Sequence, residues 1–431
     1  MSFQFSQDQL DAVNGICNQL LDPNTNSHVL TVLTGSAGTG KTTVIGKLIS
    51  QIAQQSPTTN IALCATTNRA ATVLEGIVGG PVITGYALFN LRPAVTKYGK
   101  EKIISAGTCG IPNGSVIIID ESSMIGNKFL KAIVDIVKDR ALKLVFVGDP
   151  FQLPPPADTC SIFDGSLSTF SLTQVHRQLG GNPVLEKANE FREYIEGIRK
   201  IEPVLETNIN SKGEGIHMLP HADFVTKFVQ KYINYSAGAE VDVPLCTFTN
   251  ESAINYNSIV RKAAFFLEDV MKPFYPGERL IANSVVMHGN KTILTNNEIV
   301  HIVNYDEGEI YGIPGYYVTV RGDYNKYTKS ATKKVFSPKT KSAADKILEE
   351  EKAFAVKNKS KAAWKTYYKI KNTLADLRPP FAGTTHKAQG GTFPAVFIDK
   401  ININKCKSRV TRARLFYVAL TRASKNAYIN S

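Results

Sequence analysis

The sequence has 431 residues, of which 43% are hydrophobic and 20% are charged. This length and this ordinary globular composition exclude a disordered or collagen-like chain and favour about three domains. Fifty Lys and Arg against 37 Asp and Glu give a formal net charge of +13, which is typical of proteins that bind nucleic acid, although a basic surface can also serve solubility alone.

Six cysteines are scattered along the chain, and no two of them stand in the CxxC spacing of zinc and redox motifs. Scattered cysteines fit a reducing compartment. The first residues, MSFQFSQDQL, lack the basic start and apolar core of a signal peptide, and no run of about 18 apolar residues could span a membrane. We therefore expect a cytoplasmic protein without a membrane partner, in the host cytoplasm if the chain is viral.

Short apolar runs alternate with helical stretches between residues 30 and 150. Four runs each end in small or acidic residues, namely HVLTVLTG (28–35), NIALCATT (60–67), GSVIIIDES (114–122) and LKLVFVGD (142–149). Their alternation with helices such as TTVIGKLISQIAQQ (42–55) predicts an α/β fold with a parallel, doubly wound sheet. Such sheets bind ligands beyond the carboxyl ends of the strands, where these small and acidic residues fall.

A second α/β unit is predicted from the strands DVPLCTFT (242–249) and PAVFIDK (394–400) and the helix ESAINYNSIVRKAAFFLEDV (251–270). Residues 276–330 between them are rich in Gly, Tyr, Val and Asn with turn signals, which predicts a small antiparallel β-barrel or sheet. Residues 331–378 carry 13 Lys and Arg against five Asp and Glu in a helical pattern. Taken alone, such a run is more often a solvated face than a binding site.

A phosphate-binding loop is predicted at GSAGTGKT (35–42), which follows a predicted strand and opens a predicted helix. Glycines in GxxxxGK[ST] permit backbone conformations in which successive N–H groups surround phosphate oxygens. Lys41 is expected to reach the β- and γ-phosphates and the Thr42 hydroxyl to bind Mg²⁺. The predicted phosphate contacts are Gly35, Ser36, Ala37, Gly38, Thr39, Gly40, Lys41, Thr42 and Thr43.

Two further strand ends supply candidates for hydrolysis. Asp120 ends the strand GSVIIIDES, where a carboxylate can hold the Mg²⁺ shell, and Glu121 is placed to orient or deprotonate the attacking water. In GDPFQLPP (148–155), Asp149 and Gln152 would face the γ-phosphate side, where an amide can sense the third phosphate. Acidic pairs also merely end strands, and a Pro-rich turn alone predicts no function.

In this order, the motifs resemble those of superfamily 1 helicases of the RecD-like branch, over nearly the whole chain. The matching segments are FSQDQLDA (5–12), ATTNRAA (65–71), TGYALF (84–89), DESSM (120–124), LTQVHRQ (172–178), FTNESAINYN (248–257), TTHKAQG (384–390) and YVALTRA (417–423). Asn68 and Tyr86 depart from the family, which often has His at the first position and Ile-His at Gly85 and Tyr86.

The resemblance implies an α/β fold with two RecA-like P-loop motor domains and ATP with Mg²⁺ between them. A hairpin, or pin, would be inserted in the first domain, and a small SH3-like β-barrel with a basic helical arm in the second. The expected divisions are 1–178 for the first motor domain with its pin at about 90–113, 179–275 and 379–431 for the second, and 276–378 for the insertion.

The resemblance also implies roles for single residues. Gln9 would read adenine, and Arg177 and Arg422 would approach the γ-phosphate when the cleft closes, joining Lys41, Glu121 and Gln152 as the catalytic set. The implied DNA contacts are Thr66, Asn68, Pro93, Tyr98, Thr384, Thr385, His386 and Lys387. Out of context, a surface arginine is usually a solvated charge and a lone histidine usually belongs to the core.

Residues 90–113, NLRPAVTKYGKEKIISAGTCGIPN, read as two short β-like runs around the turn YGKE (98–101), and the family carries a strand-separating pin here. Opening a base pair costs about 1.4 kcal/mol of stacking on average, and aromatic stacking returns about 1–3 kcal/mol per base. An aromatic or apolar tip is therefore on the right energetic scale, with Tyr98 and Ile103 as candidates. An ordinary surface hairpin is the alternative.

The expected function is that of an ATP-dependent DNA helicase moving 5′ to 3′ on single-stranded DNA, with the polarity taken from the resemblance alone. Its expected partners are single-stranded DNA, single-strand/duplex junctions and replication or recombination proteins, and it would work as a monomer. Two alternatives stay open: a translocase that displaces proteins from DNA, and a nucleotide-switched DNA-binding protein without productive turnover.

Overall fold

The computed structural model describes residues 5–22, 28–95, 101–155, 158–174, 181–233, 244–265, 272–289, 291–322 and 332–431. Up to residue 174 the helices are α1 (Gln7–Leu21), α2 (Lys41–Gln55), α3 (Asn68–Val78), α4 (Gly85–Leu88) and α5 (Asn127–Asp139). The strands there are β1 (Val29–Gly35), β2 (Ile61–Ala65), β3 (Ile83–Thr84), β4 (Leu91–Val95), β5 (Glu101–Ser105), β6 (Val116–Asp120), β7 (Lys143–Gly148) and β8 (Ser168–Leu172).

The first sheet has six parallel strands in the order β3-β2-β6-β7-β1-β8. Consecutive side chains of β1 point to opposite faces of the sheet. Leu33 packs with residues of α1, α2 and α3, whereas Val32 packs with residues of α5. Helices therefore cover both faces. The predicted doubly wound sheet is confirmed, and the carboxyl ends of β1, β2, β6 and β7 share one edge.

The rest of the chain continues with α6 (Pro183–Glu196), β9 (Asn208–Ile209), β10 (Gly215–Leu219), α7 (His221–Ile233), β11 (Leu245–Thr247) and α8 (Asn250–Phe265). Then follow β12 (Arg279–Ala282), β13 (Val286–His288), β14 (Lys291–Leu294), β15 (Ile299–Ile310), β16 (Ile313–Gly322), β17 (Thr332–Pro338), α9 (Lys341–Asn358), α10 (Lys361–Thr373) and β18 (Leu377–Arg378). The last elements are β19 (Ala382–Thr384), β20 (Phe393–Ile398), α11 (Lys400–Ile403), α12 (Arg409–Thr421) and β21 (Ala423–Asn430).

The second sheet has the order β19-β11-β20-β21-β10-β9. Its pairs are parallel except for β9 with β10. The predicted strands around 242–249 and 394–400 correspond to β11 and β20, so the second α/β unit is confirmed. The division of the chain into domains stays a prediction. None of the described helices is long and apolar enough to cross a membrane.

An antiparallel sheet in the order β17-β16-β15-β12-β18 and a separate hairpin of β13 and β14 interrupt this second unit. Its core includes Leu280, Val300, Val318 and Val335. Helices α9 and α10 follow, and Trp364 of α10 is buried against Tyr367 and Tyr368 in a local aromatic cluster. The expected antiparallel strands and helical arm are present, whereas closure into an SH3-like barrel is not confirmed.

Strands β4 and β5 form the antiparallel hairpin expected at 90–113, pairing Leu91 with Ser105 at one end. The turn that carries Tyr98 lies outside the described residues. Ile103 was expected as a tip candidate, but it lies in the middle of β5 opposite Pro93 and packs against the core of the first sheet. That part of the expectation is wrong, because an apolar residue in mid-strand is used for packing here. The pin role itself stays a prediction.

Candidate nucleotide-binding site

The loop between β1 and α2 has the shape that its glycines require. Gly40 has φ +81°, in the left-handed region, and a Cβ there would lie 2.5 Å from Gln9 Nε2. A Cβ on Gly35 would lie 2.4 Å from the Thr39 hydroxyl oxygen. Any side chain at either position would therefore displace the loop. The turn delivers the chain into α2, whose first N–H groups form a natural anion site.

Lys41 folds back over this loop. Its Nζ donates hydrogen bonds to the carbonyl oxygens of Gly35 at 2.7 Å and Ser36 at 3.1 Å. Thr42 and Thr43 are half-buried on the first turn of α2, and the buried Ser36 hydroxyl has no hydrogen-bond partner among the described residues. The loop thus collects a cation, hydroxyls and helix N–H groups, which is the donor set that phosphate oxygens need.

Gln9 braces the loop from α1. Its side chain is completely buried, its Nε2 donates to the Thr39 carbonyl at 2.9 Å, and its Oε1 accepts from the Ser6 N–H at 3.1 Å. The structure therefore gives Gln9 a structural task at the loop, while its reading of adenine stays a prediction.

Asp120 and Glu121 follow β6 at the shared strand edge. Burial raises the pKa of Asp120 to about 7, with the Glu121 charge adding to the rise and Lys41 opposing it. Glu121 has φ +53°, a left-handed backbone that costs a non-glycine residue about 1–3 kcal/mol. Its Oε2 is buried without a hydrogen-bond partner in the described structure. Glu121 thus combines a strained backbone with an unpartnered carboxylate oxygen at this edge, and its water-activating role stays a prediction.

The residues present also fit a magnesium ion. Mg²⁺ is usually held by one or two carboxylates with substrate phosphates and waters, and Asp120 offers a buried carboxylate whose charged form a bound cation would favour. The hydroxyl of Thr42 is the second oxygen donor proposed from the sequence. Among the described residues no group of three or more His, Cys, Asp or Glu could hold a metal.

The loop after β7 connects this site to the second sheet. Tyr417 of α12 donates from its hydroxyl to Asp149 Oδ2 at 2.5 Å and accepts from the Ala37 N–H at 3.3 Å. On the same helix, Arg414 donates to the carbonyl oxygens of Pro150 and Gln152. Helix α12 therefore contacts both the phosphate loop and the predicted γ-phosphate side.

Gln152 and Arg422 both lie close to this junction. Gln152 is buried, and its Oε1 accepts from Gln389 Nε2 at 3.2 Å. Arg422, which follows α12, is 5% exposed and donates to the carbonyl oxygens of Val418 and Gly391 and to the Thr421 hydroxyl. Its guanidinium thus points into the second unit in this conformation. Arg177 lies outside the described residues.

The predicted DNA contacts of the first unit lie near the same edge. The Thr66 hydroxyl donates to the Glu121 carbonyl at 3.1 Å, and Asn68 Nδ2 donates to the Asn296 carbonyl of the inserted sheet at 2.9 Å. Pro93 lies in β4, and Tyr98 is outside the described residues. Thr66 therefore connects the predicted DNA surface to the backbone of the predicted catalytic carboxylate.

In the second unit the predicted contacts occupy a short segment that begins with the last residue of β19. Thr384 is buried, and Thr385 donates to the Thr247 carbonyl at 3.0 Å. Burial lowers the pKa of His386, which favours a neutral imidazole near pH 7, and Lys387 is exposed. Thr385 is thus tied into the sheet, whereas Lys387 can meet a phosphate.

The two units touch where this segment ends. A Cβ on Gly391 would lie 2.8 Å from Arg69 Nε, and the Arg69 guanidinium lies over the Phe393 ring at 4.4 Å from its centroid. Helix α3, which follows Thr66, therefore packs directly on the turn that follows His386. The contact of Arg69 with Gly391 and Phe393 therefore joins the segment after Thr66 to the segment after Lys387.

Sequence reasoning missed three residues of the junction: Tyr417, Arg414 and Gln389. Tyr417 and Gln389 lie inside the segments YVALTRA and TTHKAQG, so their membership in those motifs was the available signal. Arg414 lies outside both segments, and nothing in a single sequence distinguishes it from a solvated helix arginine.

Two family models match the chain. A model described as an AAA domain matches residues 4–200, and a model described as a UvrD-like helicase C-terminal domain matches residues 380–429. The first match contains all six strands of the first sheet, and the second contains β20 and β21 with α12. The hydrogen bonds of Tyr417 with Ala37 and Asp149 therefore join residues of the two matched segments.

Relatives with known names extend this likeness. The ATP-dependent DNA helicase dda of Enterobacteria phage T4 is 23% identical over 437 residues, covering 93% of this chain and 94% of the relative. The ATP-dependent RecD2 DNA helicase of Deinococcus radiodurans is 30% identical over 164 residues, covering 38% of this chain and 21% of that protein. Among solved structures, the Pif1 helicase of Candida albicans aligns with a TM-score of 0.48 at 16% identity, covering 100% of this chain and 95% of that one.

Proposed function

We propose a 5′ to 3′ unwinding cycle for this chain, which belongs to the superfamily 1 helicases of the RecD and Dda type and is an ATP-dependent DNA helicase. One observation carries the proposal: a helix of the second unit contacts the phosphate loop of the first through Tyr417 and Ala37. A nucleotide bound at this loop would therefore affect the position of both units. The proposed motor domains are 1–178 and, together, 179–275 with 379–431, and 276–378 would be the insertion.

In this proposal the phosphate loop residues 35–43 hold ATP, and Gln9 reads the adenine. Lys41 leaves the carbonyls of Gly35 and Ser36 to reach the β- and γ-phosphates. Thr42 and Asp120 would hold Mg²⁺, which when bound supplies charge neutralisation to the phosphate oxygens. Glu121 takes the proton of the attacking water through its unpartnered carboxylate oxygen.

Hydrolysis then depends on residues that approach from outside the loop. Arginines that stabilise charge on the transferring phosphoryl group can raise its rate by about 10³–10⁵. Arg422 would turn from the carbonyls of Val418 and Gly391 towards the γ-phosphate as the units close, and Arg177 would join it. Gln152 would sense the third phosphate and pass the change to Gln389, its partner at 3.2 Å. ATP would therefore favour closure, and hydrolysis would release it.

Closure would be transmitted to single-stranded DNA by two grips. Thr66 and Asn68 would form one, with Pro93 and Tyr98 as further proposed contacts, and the segment Thr384, Thr385, His386 and Lys387 would form the other. Hydroxyl and imidazole groups hold phosphates without reading bases. Alternating their grip would give stepwise movement, and the pin would separate the strands. The basic region 331–378 would add phosphate neutralisation, which makes the binding dependent on salt.

Polarity and strand separation can be tested together. Duplexes with a 5′ or a 3′ single-stranded tail are mixed with protein, ATP and Mg²⁺, and strand release is followed with time. We expect release from the 5′-tailed duplex alone, and ATP turnover that single-stranded DNA stimulates. The Lys41→Ala protein, prepared in parallel, controls for contaminating helicases.

Other outcomes identify the rivals. Stimulated turnover with displacement of a DNA-bound protein, but without strand release, would favour a translocase. DNA binding that nucleotides modulate, without stimulated turnover, would favour a switched DNA-binding protein. Release from the 3′-tailed duplex would reverse the proposed polarity. Under this proposal the protein acts as a cytoplasmic monomer at single-strand/duplex junctions, in replication or recombination.

A further inference from the structure

The Tyr417 hydroxyl joins three parts of the molecule that are far apart in sequence. It donates to Asp149 Oδ2 at 2.5 Å and accepts from the N–H of Ala37 at 3.3 Å. Asp149 follows β7, Ala37 belongs to the phosphate loop, and Tyr417 lies in α12. One hydroxyl therefore connects the second unit to two loops of the first.

Both residues of the hydrogen bond between Tyr417 and Asp149 are buried, and the tyrosine hydroxyl is the donor. Tyr417 is 1% exposed and Asp149 is completely buried. Burial and the Asp149 carboxylate hold the pKa of Tyr417 well above its usual range, so the hydroxyl keeps its proton as donor. Asp149 Oδ1 accepts from the Phe151 N–H at 2.9 Å, which fixes the carboxylate and leaves Oδ2 for the tyrosine.

Arg414 is a second residue of α12 that binds the loop after β7. Arg414 donates to the carbonyl oxygens of Pro150 and Gln152 at 2.7 and 2.5 Å. It precedes Tyr417 by three residues, so both project from one helix face. Arg422 follows Tyr417 by five residues, about 7.5 Å further along the helix axis. The position of Arg422 is thus set by a helix whose register on the first unit is fixed at Tyr417.

We propose that Tyr417 is a positioning residue for phosphoryl transfer, which holds α12 against the phosphate loop so that Arg422 approaches the γ-phosphate in register. This inference rests on the function proposed above for Arg422. Tyr417 itself would touch no reacting atom; it acts through the helix. Loss of its hydroxyl would free the Ala37 N–H but leave Lys41, Thr42 and Asp120 in place, and it would let the arginine approach in the wrong place.

The test uses Tyr417→Phe in the full chain, which removes the hydroxyl and keeps the ring. We expect kcat for DNA-stimulated ATP hydrolysis to fall about ten- to a hundredfold, because a misplacement of about 1 Å can cost that much. ADP should still raise the melting temperature as in the wild type, which shows that the variant is folded and binds nucleotide. The matched control is Tyr428→Phe, whose ring packs at a tilt against His217 and Phe397 in the second sheet; its kcat should equal that of the wild type.

A double-variant cycle with Arg422→Ala separates positioning from a merely structural role. If Tyr417 acts through Arg422, the two losses in kcat are not additive, and Tyr417→Phe costs little once Arg422 is absent. Multiplicative losses would mean that Tyr417 acts independently of the arginine, and they would overturn the proposal. A wild-type kcat in Tyr417→Phe, or a lost ADP shift, would also overturn it.

Hydrogen exchange tests the connection without relying on activity. The amide of Ala37 should exchange faster in Tyr417→Phe, while amides in the middle of α2 keep their wild-type rates. Unchanged exchange at Ala37 would mean that the Tyr417 hydroxyl does not protect this amide, and it would contradict the proposal whatever the kinetics show. If instead the wild type exchanges as expected but hydrolyses no ATP, the proposed function fails and the connection at Tyr417 stands.

Discussion

Replacing Asp8 by Asn should loosen the attachment of α1 to the chain that follows β8. Asp8 Oδ2 accepts from the N–H groups of Thr173 at 2.8 Å and Gln174 at 3.0 Å. Its Oδ1 accepts from the Gln9 N–H at 2.9 Å and from the Ser6 hydroxyl. These hydrogen bonds outweigh partial burial and lower the pKa of Asp8 from 3.8 to about 2.

The size of the effect follows from that pKa. A fall from 3.8 to about 2 is worth at most about 2.4 kcal/mol at 1.36 kcal/mol for each pH unit. Because Asp8 is only partly buried, solvent screening reduces this to about 1 kcal/mol. The depressed pKa means that this stability is present above pH 4 and is lost as the pH falls through 2.

Hydrogen exchange of residues 168–174 measures this loss locally. At pH 7, a loss of about 1 kcal/mol corresponds to roughly fivefold faster exchange at Thr173 and Gln174 in Asp8→Asn. Asp11→Asn, three residues further along the same helix, is the matched control and should exchange as the wild type does. If Asp8→Asn leaves the exchange unchanged, or if Asp11→Asn accelerates it equally, the carboxylate does not hold this segment.

Three further predictions concern the motor. Lys41→Ala should reduce ATP turnover at least about a hundredfold, measured by phosphate release; near-normal turnover would refute the phosphate-loop assignment. Arg422→Ala should retain nucleotide binding but slow hydrolysis by about 10³–10⁵, while Arg409→Ala at the exposed start of α12 leaves it unchanged; equal rates in both variants would end the arginine's proposed role. Tyr98→Ala should spare DNA-stimulated ATPase but lower strand release from a tailed duplex, and an intact release rate would discard Tyr98 as the pin tip.

Local sequence predicted the elements whose signals are local. The β1–α2 loop could be recognised because GSAGTGKT fixes its own geometry, and the structure confirms helix α2 from Lys41 and the strand that precedes it. The apolar runs predicted β1, β2, β6 and β7, because strands buried on both faces need continuous apolar residues. The ends of these strands then placed Asp120 and Asp149 at one edge.

Contacts between distant segments could not be predicted in this way. Asp8 meets Thr173 across 165 residues and Tyr417 meets Asp149 across 268, and no periodicity encodes either pairing. The expectation for Ile103 failed for a related reason, since an apolar residue in a hairpin can equally face solvent or the core, and only the packing of the first sheet decides.

The Lys41 ammonium donates hydrogen bonds to the Gly35 and Ser36 carbonyl oxygens of its own loop. In the proposed cycle, a bound triphosphate would replace two neutral acceptors of the Lys41 ammonium by a charged one, and the lysine side chain would already be ordered beforehand. The lysine would then lose little rotamer entropy on binding, so its preference for a ligand would depend mainly on the charge of that ligand. After product release, the lysine would return to the same two carbonyl oxygens.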